Sequence, residues 1–319
     1  MRDLFNDAIN APPGRLVEVL ISKITKGDAK ELPDDALARL DRLFDAPGKS
    51  GLLARVRIAA DLPFLFDRAP TWTTSRLIAL FDWSSPDAAA MWSARKYSNY
   101  IGSPELFGRV KKPFLQMFGR TDIAAEDLRI FAQWLAGILI ANRANNTGYP
   151  LTATDARSAL RRAGASALPS VGHHLAIEME RAPEVQKLVH WQEVVGPVFQ
   201  EIWPLDVELQ TSATTFKLVQ ILLATGKAFP EACEIIIPFI RPENAGTEVT
   251  MFSIDQAPDG LYEAAPSKML DVISAVVGEA PPGSVYALGR GLSRLRAIDP
   301  KLAASRQFQK LLTSASQHG

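Results

Sequence analysis

Seven of the 22 prolines in this chain are followed directly by an acid, and that pairing constrains the fold more than any other feature. The pairs are Pro33-Asp34, Pro86-Asp87, Pro104-Glu105, Pro183-Glu184, Pro230-Glu231, Pro242-Glu243 and Pro258-Asp259. Proline at the first helical position loses no hydrogen bond, because that N–H has no intrahelical partner. An acid beside it meets the positive end of the helix dipole. Ser85 and Ser103 precede two of the pairs and supply N-cap oxygens, and Thr152 with Asp155 has capping-box spacing. The pairs Pro242-Glu243 and Pro258-Asp259 lie in irregular sequence and read as turns. A chain punctuated this way cannot form one long coiled coil.

Between the prolines, apolar residues recur at helical spacing. Leu16, Leu20 and Ile24 form one stripe, widened by Val17 and Ile21. Leu37, Leu40 and Phe44 form another; so do Leu128, Phe131, Leu135 and Ile138, then Leu188, Trp191, Val195, Val198 and Ile202, and near the end Val285, Leu288, Leu292 and Leu295. These i, i+3, i+4, i+7 patterns predict amphipathic helices. The chain therefore reads as all-α, with about fourteen short helices, among them continuous ones over 72–83, 86–101 and 184–203. At most one short strand is expected near 247–254, where Glu248 to Ile254 alternates weakly. Loops are expected over 142–151 and 241–265. Short helices without a sheet bury their stripes by stacking in antiparallel pairs, which predicts an irregular α-solenoid of the HEAT or armadillo kind. Its expected sections are residues 1–144 and 150–319, packed as one continuous superhelix.

Composition narrows the function classes. Lys+Arg and Asp+Glu both number 35, so net charge is zero and neither a nucleic-acid coat nor a polybasic anchor is indicated. The balance hides blocks. Residues 1–177 hold 23 bases and 18 acids, residues 178–279 hold 6 and 16, and residues 280–319 hold 6 and 1. The acidic section and the basic tail either present two faces to different partners or pair with each other in the fold. The longest apolar stretch, Trp134 to Ala141, is far short of the roughly 20 residues that span a bilayer, and no secretory leader is apparent, so a cytoplasmic protein is expected. The single cysteine, Cys233, excludes a disulfide framework and reads as a buried structural thiol.

Motifs for chemistry are sparse. Gly289-Arg290-Gly291 lacks the third glycine and the preceding strand of a dinucleotide fingerprint, and no Walker or nucleophile-elbow pattern occurs. His174 and Glu178 share a helix face, with His173, Glu180 and His190 nearby, but two ligands on one helix do not make a metal site. The carboxylate pairs Asp34-Asp35 and Glu126-Asp127 stand at helix starts, and adjacent helical residues point about 100° apart. No catalytic, cofactor-binding or metal-ligating residues are therefore expected, nor any cofactor. The one candidate binding face is basic: Arg290, Arg294, Arg296, Lys301, Arg306 and Lys310. The six tryptophans sit mostly on apolar faces and read as core.

The segments NAPPGRLVEVLI, AAAMWSARKY, TDARSALRRAG, EVVGPVFQEIWPLDVEL, LLATGKAFPEACEIIIPFI and SVYALGRGLSRLRAIDPKLAASRQFQKLL follow one another along the chain. In that order they resemble a helical C-terminal region of unknown function found in large bacterial proteins with an N-terminal sirtuin-type domain, implicated in antiphage defence. The resemblance covers nearly the whole chain and rests on packing and capping signatures. It implies a scaffolding, oligomerising or sensing role beside an NAD-consuming domain. No sirtuin or Rossmann segment precedes the helical region here, so no NAD-binding or catalytic residue carries over, and the helix-like start at Arg2-Asp3-Leu4-Phe5 fits a piece of a larger protein. The expected function is a non-enzymatic helical-repeat scaffold or sensing module for protein–protein interaction in such a defence system. Its expected partner is a separately encoded catalytic domain or a phage protein. The alternative is a nucleic-acid-binding solenoid that uses the basic C-terminal helices.

Overall fold

The computed structural model describes residues 4–25, 31–98, 101–242, 247–285 and 287–315. Arg2-Asp3 at the helix-like start, and Glu243 of one proline–acid pair, lie outside them. The described residues are helical throughout, with no strand; Val285 and Ala315 form one isolated bridge. They divide into two compact units, Met1–Trp134 with Thr147–Leu151, and Leu135–Asn146 with Thr152–Gly319. The division runs inside a single long helix, Ala125–Asn145, and again just before the capping box at Thr152.

The first unit contains α1 (Leu4–Asn10), α2 (Pro12–Thr25), α3 (Asp34–Phe44), α4 (Gly48–Ala60), α5 (Leu62–Arg68), α6 (Pro70–Trp72), α7 (Ala88–Arg95), α8 (Pro104–Met117) and the start of α9 (Ala125–Asn145). Helix α4 lies at the centre, packed by α1, α2, α3 and α7, and buries Leu53, Ala54, Val56, Ile58 and Ala59 on nearly every side. An all-round apolar helix is stable only in such a position. The core beyond it is aromatic. Trp92 sits at 5.0–5.9 Å from Phe81, Phe114 and Phe131, mostly edge to face, and its Nε1–H donates to the Phe81 carbonyl at 3.0 Å.

The second unit contains the rest of α9, then α10 (Ala153–Ala163), α11 (Leu168–Arg181), α12 (Lys187–His190), α13 (Gly196–Ile202), α14 (Ser212–Ala224), α15 (Phe229–Ile236), α16 (Thr247–Asp255), α17 (Asp259–Ala264), α18 (Pro266–Val277), α19 (Leu288–Ile298) and α20 (Arg306–Ser314). Helices α11 and α14 form its closest pair, since Gly172 lets α14 approach: a Cβ there would stand 2.9 Å from Lys217 Cβ. Helix α18 is the second hub, flanked by α15, α16, α17, α19 and α20.

The capping signals behave as their chemistry requires: Ser103 accepts from the Leu106 N–H ahead of Pro104, and Thr152 and Asp155 form a full capping box. Pro33 and Pro183 stand one position earlier than expected, as N-caps in extended backbone, and the acids Asp34 and Glu184 take the first helical position. Ser85 caps less directly, accepting from the Asp87 N–H at 3.3 Å, so that α7 begins only at Ala88. Pro258-Asp259 is not a turn: it opens α17.

Several expectations are corrected. The strand expected near 247–254 is helix α16, and the loop expected over 241–265 holds both α16 and α17. Met251 and Ile254 are buried at an i, i+3 spacing, and Thr250 beside them; with no second strand to pair its backbone, this segment satisfies its N–H and C=O groups internally as helix. The loop expected from 142 starts later, because α9 runs to Asn145. Two expected long helices run on without a gap but change geometry along their length. Residues Thr73–Leu77 form a π-turn and Ile78–Phe81 a 3₁₀ turn, and the run from Glu184 passes through 3₁₀, α and π geometry before α13.

The first apolar stripe is rotated. Val17 and Ile21 are buried, whereas Leu16 is 58 % exposed and Leu20 and Ile24 are half-buried. Both sets satisfy helical spacing. Gly14 selects between them, because its Cα faces α1 so closely that a Cβ would stand 2.0 Å from the Ala8 carbonyl oxygen. The face carrying Gly14, Val17 and Ile21 is the only one that can turn inward there.

Candidate functional site

The six basic residues come from α19, a 3₁₀ turn over Pro300–Ala304, and α20. Their capping is legible: Asp299 accepts from the Lys301 N–H and Ser305 from the Phe308 N–H. The structure divides the set in two. Arg290 pairs with Asp255 at 3.0 Å, and Lys310 with Glu279 at 3.3 Å. Arg294 is bound most tightly. It pairs with Asp259, donates to the carbonyls of Asp255 (3.1 Å) and Ala257 (3.0 Å), and lies 3.8 Å over the ring of Tyr262. Tyr262 in turn donates its O–H to the Ile254 carbonyl, and burial pushes its pKa up to about 12. All of these acids belong to the 178–279 block. Arg290, Arg294 and Lys310 therefore tie the basic tail to the acidic section inside the fold, which is the second of the two readings of the charge pattern. Arg296, Lys301 and Arg306 stay exposed, and no ion pair engages them among the described residues.

The histidines are arranged differently from their sequence spacing. Glu178 lies 3.4 Å from His190 Nε2, an ion pair when the imidazole is protonated, while His174 is directed at α9, where a Cβ on Gly137 would stand 3.1 Å from its Nε2. No group of three metal-capable side chains occurs among the described residues. Burial lowers the His174 pKa below the usual histidine value, with Glu178 opposing it and Arg181 assisting. A lowered folded-state pKa makes the sign plain. In the window from the ordinary value of about 6.5 down to the folded value, the unfolded chain binds a proton that the fold excludes, so stability falls as pH falls. His174→Gln is expected to lessen the fall of the urea midpoint across that window, with His173, whose pKa burial also lowers, keeping part of it, and to leave the carboxylate-driven loss below about pH 5 in place. A wild-type midpoint that does not fall as pH drops below about 6.5 would contradict this.

The remaining candidates resolve into structure. Asp127 is 4 % exposed and pairs with Lys96 at 2.8 Å, and Asp34-Asp35 occupies the first turn of α3. Trp72, Trp92, Trp191 and Trp203 are buried, but Trp83 and Trp134 are half-buried and each carries a cation, Arg120 at 4.2 Å over Trp83 and Arg95 at 5.7 Å over Trp134. Sequence distance concealed both pairs. Cys233 is fully buried on α15, and burial pushes its thiol up to about 12. With almost no thiolate at neutral pH, its reaction with a disulfide reagent is expected to be slower than that of a free cysteine by at least a hundredfold, and to reach the free rate in denaturant. Rapid labelling of the native chain would show a different environment.

The structure exposes what the sequence reading placed inside or passed over. Leu16 (58 %) and Val19 (53 %) stand together on α2, Val185 (86 %) and Val189 (52 %) on the run before α13, Leu205 and Val207 before α14, and Val249 and Phe252 on α16. The signal was an excess of apolar positions: α2 has more than one face can bury. Beside Leu16 and Val19 opens a groove of about 290 Å³, walled by Leu20 and Leu43 and rimmed by Lys23, Arg39 and Arg42.

None of the described helices is long and apolar enough to cross a membrane. No family model matches the chain, and no solved structure matches it. It is similar to a protein of Sinorhizobium fredii (strain NBRC 101917 / NGR234) named "Uncharacterized protein y4cA", with 22 % identity over 323 residues, covering 99 % of this chain and 26 % of that protein. The chain thus spans about a quarter of the length of the curated relative it matches.

Proposed function

We propose that this chain is a non-enzymatic scaffold or sensing module for protein–protein interaction, its helices stacked as an irregular HEAT-like solenoid, working in a bacterial antiphage defence system. The observation that carries the reading is the set of exposed apolar pairs, Leu16 with Val19, Val185 with Val189, and Val249 with Phe252, each one helical turn apart. Isolated exposed apolar side chains are ordinary, whereas large contiguous apolar patches mark contact surfaces, and the reading takes these pairs to be parts of such patches. The resemblance of the segments from NAPPGRLVEVLI to the basic tail supports the defence setting, and the partner is a separately encoded catalytic domain or a phage protein. The test is capture from infected cells with the wild-type chain and with a variant carrying serine at all six positions. Partners retained by the first and lost by the second agree with it. Degradation of NAD or hydrolysis of nucleotides by the purified chain, abolished by a point substitution, would refute it.

Nucleic-acid binding is the second reading, supported by the exposed, unengaged Arg296, Lys301 and Arg306. It requires a gel shift at low salt that weakens when these three are replaced by alanine.

A further inference from the structure

The groove on α2 and α3 has a chemical complement on the second unit of the same chain. Along α2 the exposed face runs from apolar to cationic: Leu16, Val19, Leu20, then Lys23 seven residues from Leu16. Arg39 and Arg42 line the other wall; Arg39 also pairs with Asp35 at 3.2 Å, while Lys23 and Arg42 have no acidic partner among the described residues. The ridge that begins at Glu184 runs from apolar to acidic. Val185 and Val189 are followed by exposed Glu193, eight residues from Val185, and Gln192 holds a second carboxylate beside it by donating to both oxygens of Glu231, at 2.9 and 2.8 Å. At about 1.5 Å per residue the apolar-to-charge span on α2 is about 10 Å, and the eight residues of mixed 3₁₀, α and π backbone on the ridge cover a comparable length. Laid parallel, the valines meet the leucine floor and the carboxylates meet Lys23 and Arg42.

The other exposed apolar pairs fit less well. Asp255, at the end of the α16 face, is bound to Arg290, and Asp206, between Leu205 and Val207, to Arg161. Their charge is already engaged, whereas that of Glu193 is not among the described residues.

We infer that the groove of Leu16, Val19, Leu20 and Leu43 receives the Val185–Glu193 ridge of a second copy of this chain. This rests on the interaction-module reading, because it takes the exposed apolar pairs to be binding surfaces. Groove and ridge are different patches, so the contact is heterologous, and repetition gives a ring or an open filament rather than a closed dimer. One ridge in one groove is smaller than a standard stable interface, so the association is weak and depends on concentration.

The test is sedimentation velocity on the purified 319-residue chain from about 1 to about 300 µM, which covers weak, micromolar association. The wild type is expected to grow in average mass with concentration. Leu16→Lys with Val19→Lys, and separately Val185→Lys with Val189→Lys, each weaken association at least tenfold. Mixed one to one, the two variants form a heterodimer and nothing larger, because only one complementary pair of surfaces remains. All four positions are exposed, so the variants keep the wild-type melting temperature; if one does not, serine at the same positions replaces it. A wild type that is monomeric throughout overturns the inference, as does disruption by only one of the two variants, or a mixture that stays monomeric. These outcomes leave capture from infected cells to decide the wider reading separately.

Discussion

Trp92→Ala is expected to destabilise the first unit by about 3–5 kcal/mol. Trp92 is 2 % exposed and touches three aromatic rings, so truncation removes a large buried area and opens a cavity that neighbouring rings cannot fill without leaving their edge-to-face geometry. The Phe81 carbonyl also loses its donor. Trp92→Phe separates the two effects: most of the packing remains, and the unmatched carbonyl alone costs about 1–3 kcal/mol. Urea unfolding followed by circular dichroism and by fluorescence checks both. With two compact units, the probes are expected to part company for the alanine variant, since one unit melts first. Coincident transitions at the wild-type midpoint would show that this cluster carries little of the stability.

Arg294→Ala is expected to cost about 2–4 kcal/mol, and Arg294→Lys not to restore it. The ion pair with Asp259 is not the reason. That carboxylate is 82 % exposed, and exposed pairs contribute between nothing and about 1 kcal/mol. The weight lies in the two backbone carbonyls, at Asp255 and Ala257, and in the guanidinium stacked on Tyr262. The carbonyl of Asp255 closes α16, and that of Ala257 lies just ahead of α17, so removing the fork leaves half-buried acceptors without a donor. A lysine has no planar fork to reach both while covering the ring. Arg296→Ala and Arg306→Ala are expected to stay within about 0.5 kcal/mol of wild type, because their side chains stand in solvent. Thermal melts of the four variants side by side check the division of the basic set into structural and free members. Equal effects across all four would contradict it.

The helix starts were legible because their physics is local. Ser103, the Thr152–Asp155 box and Pro33 act within four residues of themselves, and no distant contact is needed to decide them. The stretch after Arg241 was not legible. Glu248 to Ile254 alternates weakly and carries β-branched residues, yet Met251 and Ile254 find a core only as helix, packed on α14, α18 and α19. The basic face was only half legible. Spacing on α19 put Arg290 and Arg294 together correctly, but the acids that absorb them lie 35 residues away, on α16 and α17. The apolar pairs were missed for a related reason: hydrophobic periodicity reports which faces can be buried, not which ones are.

The sequence by itself determined that this chain is helical, where many of its helices begin, and that its charge is segregated into opposing blocks. These follow from propensity, capping and counting, which act over one or two turns. Only the tertiary structure decided which stripe of α2 turns inward, through the approach of Gly14 to Ala8, and which cations face solvent, through the carbonyls and carboxylates that claim Arg290, Arg294 and Lys310. Amphipathicity gives a helix a face to bury, but close approach between backbones and the position of distant acceptors settle its rotation and its partners. The groove on α2 and the ridge before α13 are what that settlement left uncovered.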